Sequence, residues 1–212
     1  LPKEYEEFIL VIKKENGKHA TVTAVPSQGV MRFLSGYTAD VCYKSEEKGL
    51  AKGRWPNLRA YTFVKGRDSA HESIAGSTLV IETKTADEKE EVLLVRGNNP
   101  KENFIQDLET EEYVFDLIDE MIKLAERRGK EYVVVPIDRK AMSASNRSDV
   151  IDCYETHFAS CPKLGLVKEP ETNFMYRRNF DPEGGQPCVV VWSKKEGRIG
   201  SDLWKNRNNK RT

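Results

Sequence analysis

The chain has 212 residues, 38% of them hydrophobic and 32% charged, a composition typical of a polar globular protein long enough to bury a core. Lys plus Arg and Asp plus Glu each number 34, so no net field draws the protein to nucleic acid or to a membrane. No apolar run approaches the length of a membrane-spanning helix. The four cysteines form no CxxC motif and no signal peptide is recognisable, so a reducing, cytoplasmic compartment is expected.

The chain opens with two short runs of strand-forming residues, at 8–14 and 19–25. Between them lies Asn16-Gly17, the strongest two-residue signal for a hairpin. We therefore regard residues 1–19 as a lead-in that carries the first hairpin strand. The next stretch, 28–48, has helical spacing of apolar residues interrupted by one glycine, which predicts one or two helices. A basic, turn-rich loop follows at 49–57.

Three further strands are predicted at 58–65, 73–84 and 91–96, because β-branched and aromatic residues concentrate there. The polar turns at 66–69 and 85–90 are short. Short turns of this kind join antiparallel neighbours, so the three strands should form an antiparallel meander.

The clearest element in the sequence is a helix at 110–128. Val114, Ile118 and Met121 recur at helical spacing on one apolar face. Thr110 stands where a capping side chain is expected, and Gly129 supplies the left-handed residue that ends the helix.

A βαβα unit follows from the elements on either side of this helix. Residues 132–135 read Tyr-Val-Val-Val without polar alternation, which predicts a strand at 131–137 that is buried on both faces. A second helix is predicted at 145–158.

The last third of the chain is predicted to hold strands at 164–168, 173–179 and 188–192, with a Gly- and Pro-rich turn at 181–187. From residue 193 to 212 the chain forms a basic polar tail with seven bases against two acids, and Trp204 lies among them. Basic residues around an aromatic suit RNA or protein contact, and a disordered polar extension fits equally well.

Four short motifs occur in a consistent order along the chain. They are Ile74-Ala-Gly-Ser77, Val95-Arg-Gly-Asn-Asn-Pro100, the set Asn146, Tyr154, Glu155 and Phe158, and Leu164-Gly165-Leu166-Val167. Together with the order of the predicted elements over residues 20–192, these motifs resemble the GNAT family of N-acetyltransferases. The resemblance implies an α/β domain whose central sheet is mixed, mostly antiparallel, of about seven strands and flanked by helices.

The resemblance also implies transfer of an acyl group from acetyl-CoA, or another acyl donor, to an amine. In such a fold the fourth and fifth strands splay apart and expose backbone groups to the pantetheine arm of the donor. N–H groups at the start of the following helix bind the diphosphate. A base takes a proton from the amine, and a tyrosine on the fourth helix protonates the departing thiolate.

These roles map onto particular residues. Tyr154 is the candidate acid, although it also continues the apolar helix face, so a purely structural role stays open. Asp138 directly follows a predicted strand and is a candidate base or an ordinary loop carboxylate. The candidate donor-binding residues are Val95, Arg96, Gly97, Asn98, Asn99, Lys101 and Asn146. No grouping of His and Cys residues indicates a metal site.

The connector at 97–109 departs from the basic, glycine-rich diphosphate loop of the family. It has no glycine after Gly97, and Lys101 is its one base against Glu102, Asp107 and Glu109. Carboxylates at close range repel a diphosphate. Three alternatives follow: Arg54, Arg96 and Lys101 hold the phosphates, the donor is an acyl carrier protein without adenosine diphosphate, or catalysis is lost.

Two functions therefore stand as hypotheses. The leading one is a GNAT-like acyltransferase acting on an amine. The alternative is a catalytically silent GNAT-like module that binds a protein or RNA partner, as part of a longer polypeptide.

Overall fold

A computed structural model describes residues 7–27, 58–67, 69–137, 144–166 and 188–207. The strands in these ranges are β1 Phe8–Lys13, β2 His19–Pro26, β3 Leu58–Lys65, β4 Ser73–Lys84, β5 Glu91–Pro100, β6 Tyr132–Pro136, β7 Lys163–Leu164, β8 Cys188–Ser193 and β9 Gly197–Arg198. The helices are α1 Glu102–Ile105, α2 Thr110–Arg127, α3 Ser148–Phe158 and α4 Asp202–Lys205.

The nine described strands form one sheet in the order β1-β2-β3-β4-β5-β6-β8-β7, with β9 paired to β8. Only the β5–β6 pair is parallel, and each of the other neighbouring pairs is antiparallel. The predicted α/β class and the mostly antiparallel sheet are therefore confirmed. The sheet is larger than the seven or so strands expected, and few helices accompany it in the described ranges.

Successive side chains along the central strands point to opposite faces of the sheet, so the core is divided into two clusters, one on each face. Leu93 and Val95 of β5 contribute to the cluster that also contains the apolar side of α2. Val92 and Leu94, one residue out of phase, contribute to the second cluster. Val133, Val134 and Val135 of β6 alternate in the same way and are all fully buried, as the Val run predicted.

Most predicted elements are confirmed with small changes at their ends. The hairpin around Asn16-Gly17 joins β1 to β2, and the meander of β3, β4 and β5 is antiparallel throughout. Gly129 adopts the left-handed conformation, with φ of 65°, directly after the end of α2. The predicted helical region 28–48, the loop 49–57, the strand 173–179 and the turn 181–187 lie outside the described residues.

Three predicted boundaries and one predicted cap were wrong. β5 runs to Pro100 instead of ending at residue 96, and the connector after it contains the short helix α1. Helix α2 has Glu109 as its N-cap residue without a side-chain capping bond, so Thr110 is not the cap. Helix α3 begins at Ser148, three residues later than predicted. β7 is shorter than predicted, although Leu166 still pairs with Thr85.

The C-terminal segment, residues 197–207, is folded against helices α2 and α3. Trp204 is fully buried, its ring packs against Phe115 and Phe158, and its indole N–H donates to the Val191 carbonyl at 3.2 Å. The interpretation as a disordered extension does not hold for this segment.

Ion pairs add to this apolar contact. Arg198 binds Asp119 of α2 at 2.7 Å, and its guanidinium lies 4.9 Å from the centre of the Trp204 ring. Arg207 binds Glu112 at 2.8 Å and also contacts Asp116. None of the helices in the described ranges is long and apolar enough to cross a membrane.

We expect Trp204→Ala to lower the free energy of unfolding by about 3–5 kcal/mol, because it empties a fully buried aromatic site. Leu203→Ala on the same helical turn is the matched control, since Leu203 is 57% exposed and should change stability by about 0.5 kcal/mol or less. Urea unfolding at equilibrium measures both. Equal midpoints for the two variants would show that the segment does not contribute to the core.

Candidate functional site

The candidate site begins where the parallel strands β5 and β6 separate. Their pairing covers three residue pairs, from Val92 with Tyr132 to Leu94 with Val134. β5 remains paired to β4 as far as Pro100, whereas the rest of β6 pairs only with β8. Residues 96–100, here called the β5 exit, therefore leave β6 behind and present one edge away from β4.

A bulge reshapes the β5 exit. Arg96 pairs with Leu79 and Asn99 pairs with Ser77, so Gly97 and Asn98 together lie opposite the single residue Thr78. Gly97 has a φ of 58°, which a glycine adopts without strain. The bulge turns Asn98 towards the helices, where it becomes the centre of a buried polar cluster.

Gly76 permits the close approach of β4 to this exit. A Cβ atom at this position would lie 2.6 Å from the Asn99 carbonyl oxygen and 2.6 Å from the Pro100 Cα atom. Real Cβ atoms do not make such contacts, so a glycine is required here for the strands to pair up to Pro100.

Asn98 binds three parts of the chain at once. The Tyr113 hydroxyl of α2 donates to its Oδ1, and its Nδ2 donates to the Tyr154 hydroxyl of α3 at 3.4 Å. Its backbone N–H donates to the Ala144 carbonyl at 2.8 Å. Asn98 and Tyr113 are fully buried and Tyr154 is 1% exposed. The structure thus brings together Asn98 and Tyr154, which are 56 positions apart.

Residues 144–147, here called the exit segment, fill the gap beside the β5 exit. Besides the Ala144 contact, the Asn146 N–H donates to Asn99 Oδ1 at 2.7 Å, and the Arg147 guanidinium donates from Nε to the Pro100 carbonyl at 2.7 Å. Two edge groups of the β5 exit, the Asn98 N–H and the Pro100 carbonyl, are thus bonded to the exit segment.

Two side-chain atoms at this contact have no hydrogen-bond partner among the described residues. They are the Asn99 Nδ2 donor and the Asn146 Oδ1 acceptor, and both atoms are buried. A buried, unsatisfied polar atom costs about 1–3 kcal/mol. The exit segment therefore closes the strand edge at an energetic disadvantage.

The remaining predicted site residues are distributed around this point. Val95 lies one residue before the exit and is fully buried in the core. Arg96 is 4% exposed, and its carbonyl accepts a bond from Thr78 Oγ1. Lys101 follows the exit, and its N–H donates to the Ala75 carbonyl at 2.7 Å. Asp138 lies outside the described residues.

Burial determines the ionisation of Tyr154. Removal from water raises the pKa of its phenol far above the ordinary value, and the bond from Asn98 offsets this rise only in part. The ring packs against Phe158 with centroids 5.9 Å apart. Tyr154 is thus a protonated core residue at neutral pH whose hydroxyl group lies at the β5 exit.

The start of helix α2 is acidic, and its carboxylates are all engaged. Glu109, Glu111 and Glu112 occupy the N-cap and the first turn. Each has a partner from another part of the chain. Lys13 binds Glu109 at 2.6 Å, His157 binds Glu111 at 2.9 Å, and Arg207 binds Glu112 at 2.8 Å. The helix start is therefore occupied by ion pairs and hydrogen bonds within the protein.

One of these contacts belongs to a chain of three side chains. The Ser201 hydroxyl lies 2.7 Å from His157 Nδ1, and His157 Nε2 lies 2.9 Å from a Glu111 carboxylate oxygen. Because a carboxylate only accepts, Nε2 carries the proton in the neutral ring and Ser201 donates to Nδ1. Ser201 also caps α4 by accepting from the Trp204 N–H, so this chain fastens the C-terminal segment to α2 and α3.

The sequence predicted Asn146 of the exit segment as a site residue, but it predicted neither Tyr113 nor the Glu111–His157–Ser201 chain. The available signal for Tyr113 was its position four residues before Leu117 on the buried side of α2. The other contacts join residues 44 to 47 positions apart, and nothing in the local pattern indicates them. The described residues contain no group of three His, Cys, Asp or Glu side chains that could hold a metal ion.

Comparison with protein-family models, with curated proteins and with solved structures found no match to this chain. The geometry of the β5 exit is therefore the basis for a functional proposal.

We expect Tyr113→Phe to lower the free energy of unfolding by about 1–3 kcal/mol, because the buried Asn98 Oδ1 loses its hydroxyl donor. Tyr132→Phe is the matched control, since the Tyr132 hydroxyl binds Glu90 at the surface and its loss should cost about 0.5 kcal/mol. Chemical denaturation of both variants tests this difference. A Tyr113→Phe protein as stable as the control would mean that the Asn98 cluster does not stabilise the fold.

Proposed function

We propose that the chain is a GNAT-like acyltransferase that moves an acyl group from a thioester donor to an amine. The sheet supports this proposal: counted from β2 among the described strands, β5 and β6 are the fourth and fifth, and they form the parallel pair. Their separation after three residue pairs corresponds to the splayed strands that the GNAT resemblance requires.

The observation that carries the proposal is the position of the Tyr154 hydroxyl. It lies 3.4 Å from Asn98 Nδ2 at the bulge, beside the edge along which a pantetheine arm would bind. Asn98 uses this oxygen as an acceptor, and the hydroxyl proton has no acceptor among the described residues. In the proposed reaction, this hydroxyl is the proton donor for a thiol that departs from an arm bound along the edge.

The reaction follows from these positions. The amine nitrogen attacks the thioester carbonyl carbon, a C–N bond forms, and the C–S bond breaks as its electron pair leaves with sulfur. A base takes the proton that the amine loses, and Tyr154 supplies a proton to the thiolate. The net change converts an amine and a thioester into an amide and a thiol. Asp138 remains the candidate base.

A second function is favoured by the exit segment. Ala144, Asn146 and Arg147 occupy the edge groups that a pantetheine arm would use, and this closure suits a catalytically silent module. Of the five bases in residues 193–207, four bind carboxylates: Lys194, Arg198, Lys205 and Arg207. This pairing makes a protein a better partner than RNA for such a module.

Thiol release distinguishes the two functions. In this test the protein is incubated with acetyl-CoA or S-acetylpantetheine as the donor. Three amines serve in turn as the acceptor: a lysine-containing peptide, a peptide with a free N-terminus and a polyamine. An acyltransferase should release thiol, and Tyr154→Phe should reduce kcat by about 10²- to 10⁴-fold through loss of the acid. The free energy of unfolding should fall by no more than about 1–3 kcal/mol, because the buried Asn98 Nδ2 loses its acceptor, so the variant should remain folded in the assay.

Tyr132→Phe is again the control, and it should leave kcat unchanged. Absence of thiol release from both donors with all three amines would favour the silent module. An unchanged kcat in a folded Tyr154→Phe protein would remove Tyr154 from the chemistry, and loss of folding would assign it to the core.

A further inference from the structure

We infer that the acyl donor is a pantetheine thioester without an adenosine diphosphate group, a chemistry found on a carrier protein or in free pantetheine. This inference rests on the proposed function and names the donor class for the same site. It follows from the contrast between the β5 exit, which offers bonds to neutral amides, and the start of α2, which excludes a diphosphate.

The backbone between β5 and α2 has few N–H groups left for a phosphate. Lys101 donates to Ala75 of β4, and Glu109 donates to Lys13 of β1 at 3.0 Å. The N–H groups of Phe104, Ile105, Gln106 and Leu108 donate within the connector itself. A phosphate site needs several such groups to point outward together, and these six connector N–H groups bond to the protein's own carbonyls instead.

Side chains also fill this connector. Phe104, Ile105 and Leu108 are each 8% exposed or less and belong to the main core cluster. The Phe104 ring packs edge-on against Tyr113, with centroids 6.3 Å apart. The connector is therefore anchored to the core in a conformation that leaves no open cradle for a diphosphate.

The negative charge at the start of α2 also disfavours diphosphate binding. A diphosphate would meet the carboxylates of Glu109, Glu111 and Glu112 on the first turn of α2. Their repulsion offsets the favourable end of the helix dipole. Lys13 and Arg207 offset two of these charges through their ion pairs. The connector itself stays acidic, because Lys101 is its one base against Glu102 and Asp107.

The β5 exit has the opposite character. The bonds now made to the exit segment are those that the neutral amides of a pantetheine arm could replace: the Asn98 N–H as a donor and the Pro100 carbonyl as an acceptor. Displacing the segment also uncovers the Asn99 Nδ2 donor, which has no partner among the described residues. The arm thus exchanges existing bonds and gains the Asn99 contact, whereas the diphosphate meets an acidic helix start.

Calorimetric titration tests the inference with three probes: acetyl-CoA, S-acetylpantetheine and an acetyl-phosphopantetheinyl carrier protein. S-acetylpantetheine should bind at least as tightly as acetyl-CoA, because the nucleotide adds repulsion and no contact. Tighter binding of the carrier protein than of S-acetylpantetheine would identify a carrier-borne donor, and equal binding would identify free pantetheine. Both results support the inference.

A double variant, Glu111→Gln with Glu112→Gln, should tighten acetyl-CoA binding by about tenfold and change S-acetylpantetheine binding less than about twofold. Glu131→Gln is the matched control, because Glu131 binds Lys194 beside the start of β6, away from the β5 exit. It should leave the affinities for all three probes unchanged. Thermal unfolding checks that both proteins are folded.

Two results would overturn the inference, and they differ in what else they affect. If acetyl-CoA binds threefold or more tightly than S-acetylpantetheine, the nucleotide contributes to binding and the inference about the donor is wrong. The acyltransferase proposal is not affected by that result. If none of the three probes binds, the acyltransferase proposal fails together with the inference.

Discussion

The early end of the β5–β6 ladder is the constraint from which the rest of the site follows. A strand that keeps one neighbour and loses the other must still satisfy its backbone N–H and C=O groups. Here the exit segment supplies the partners, through Ala144 and Arg147. The same separation leaves room for the Asn98 side chain between α2 and α3, where Tyr113 and Tyr154 form hydrogen bonds with its amide group. The place where β5 and β6 separate thus holds the buried polar Asn98 cluster, which α2 and α3 cover.

Helix α2 couples this centre to the end of the described chain. Its inner side provides Tyr113 for the Asn98 cluster and Phe115 for the Trp204 contact. Its acidic side holds Arg198 and Arg207. Glu111 and Glu112, two of the three carboxylates at the start of α2, thus also fasten the C-terminal segment, through the His157–Ser201 contact and through Arg207. Removing their charge would exchange a structural contact for an anion site.

Much of the fold is readable from the sequence because local patterns dictate it. Alternating and β-branched residues located β3 and β4 to the residue, and helical spacing located α2. Gly97, Asn98 and Asn99 were predicted as donor-binding residues, but the continuation of β5 to Pro100 was missed. Gly-Asn-Asn-Pro signals a loop, whereas pairing with Gly76 holds these residues in the sheet. Trp204 was taken for a surface residue because its neighbours are charged, and its burial depends on contacts with α2 and α3. Asn98 and Tyr154 were among the predicted site residues. The contacts of Asn98 with Tyr113 and Ala144 were not predicted, because they join residues that are far apart in the sequence.

The position of β8 has a consequence for how the protein is made. This strand lies between β6 and β7, although it follows both in the chain. A nascent chain on the ribosome therefore presents β6 with an unpaired edge until residues 188–193 emerge. The aromatic pocket beside it stays open until Trp204 follows. Such late, non-local pairing slows folding and prolongs exposure of the edge to other chains, and this exposure lasts until residues 188–207 have left the ribosome.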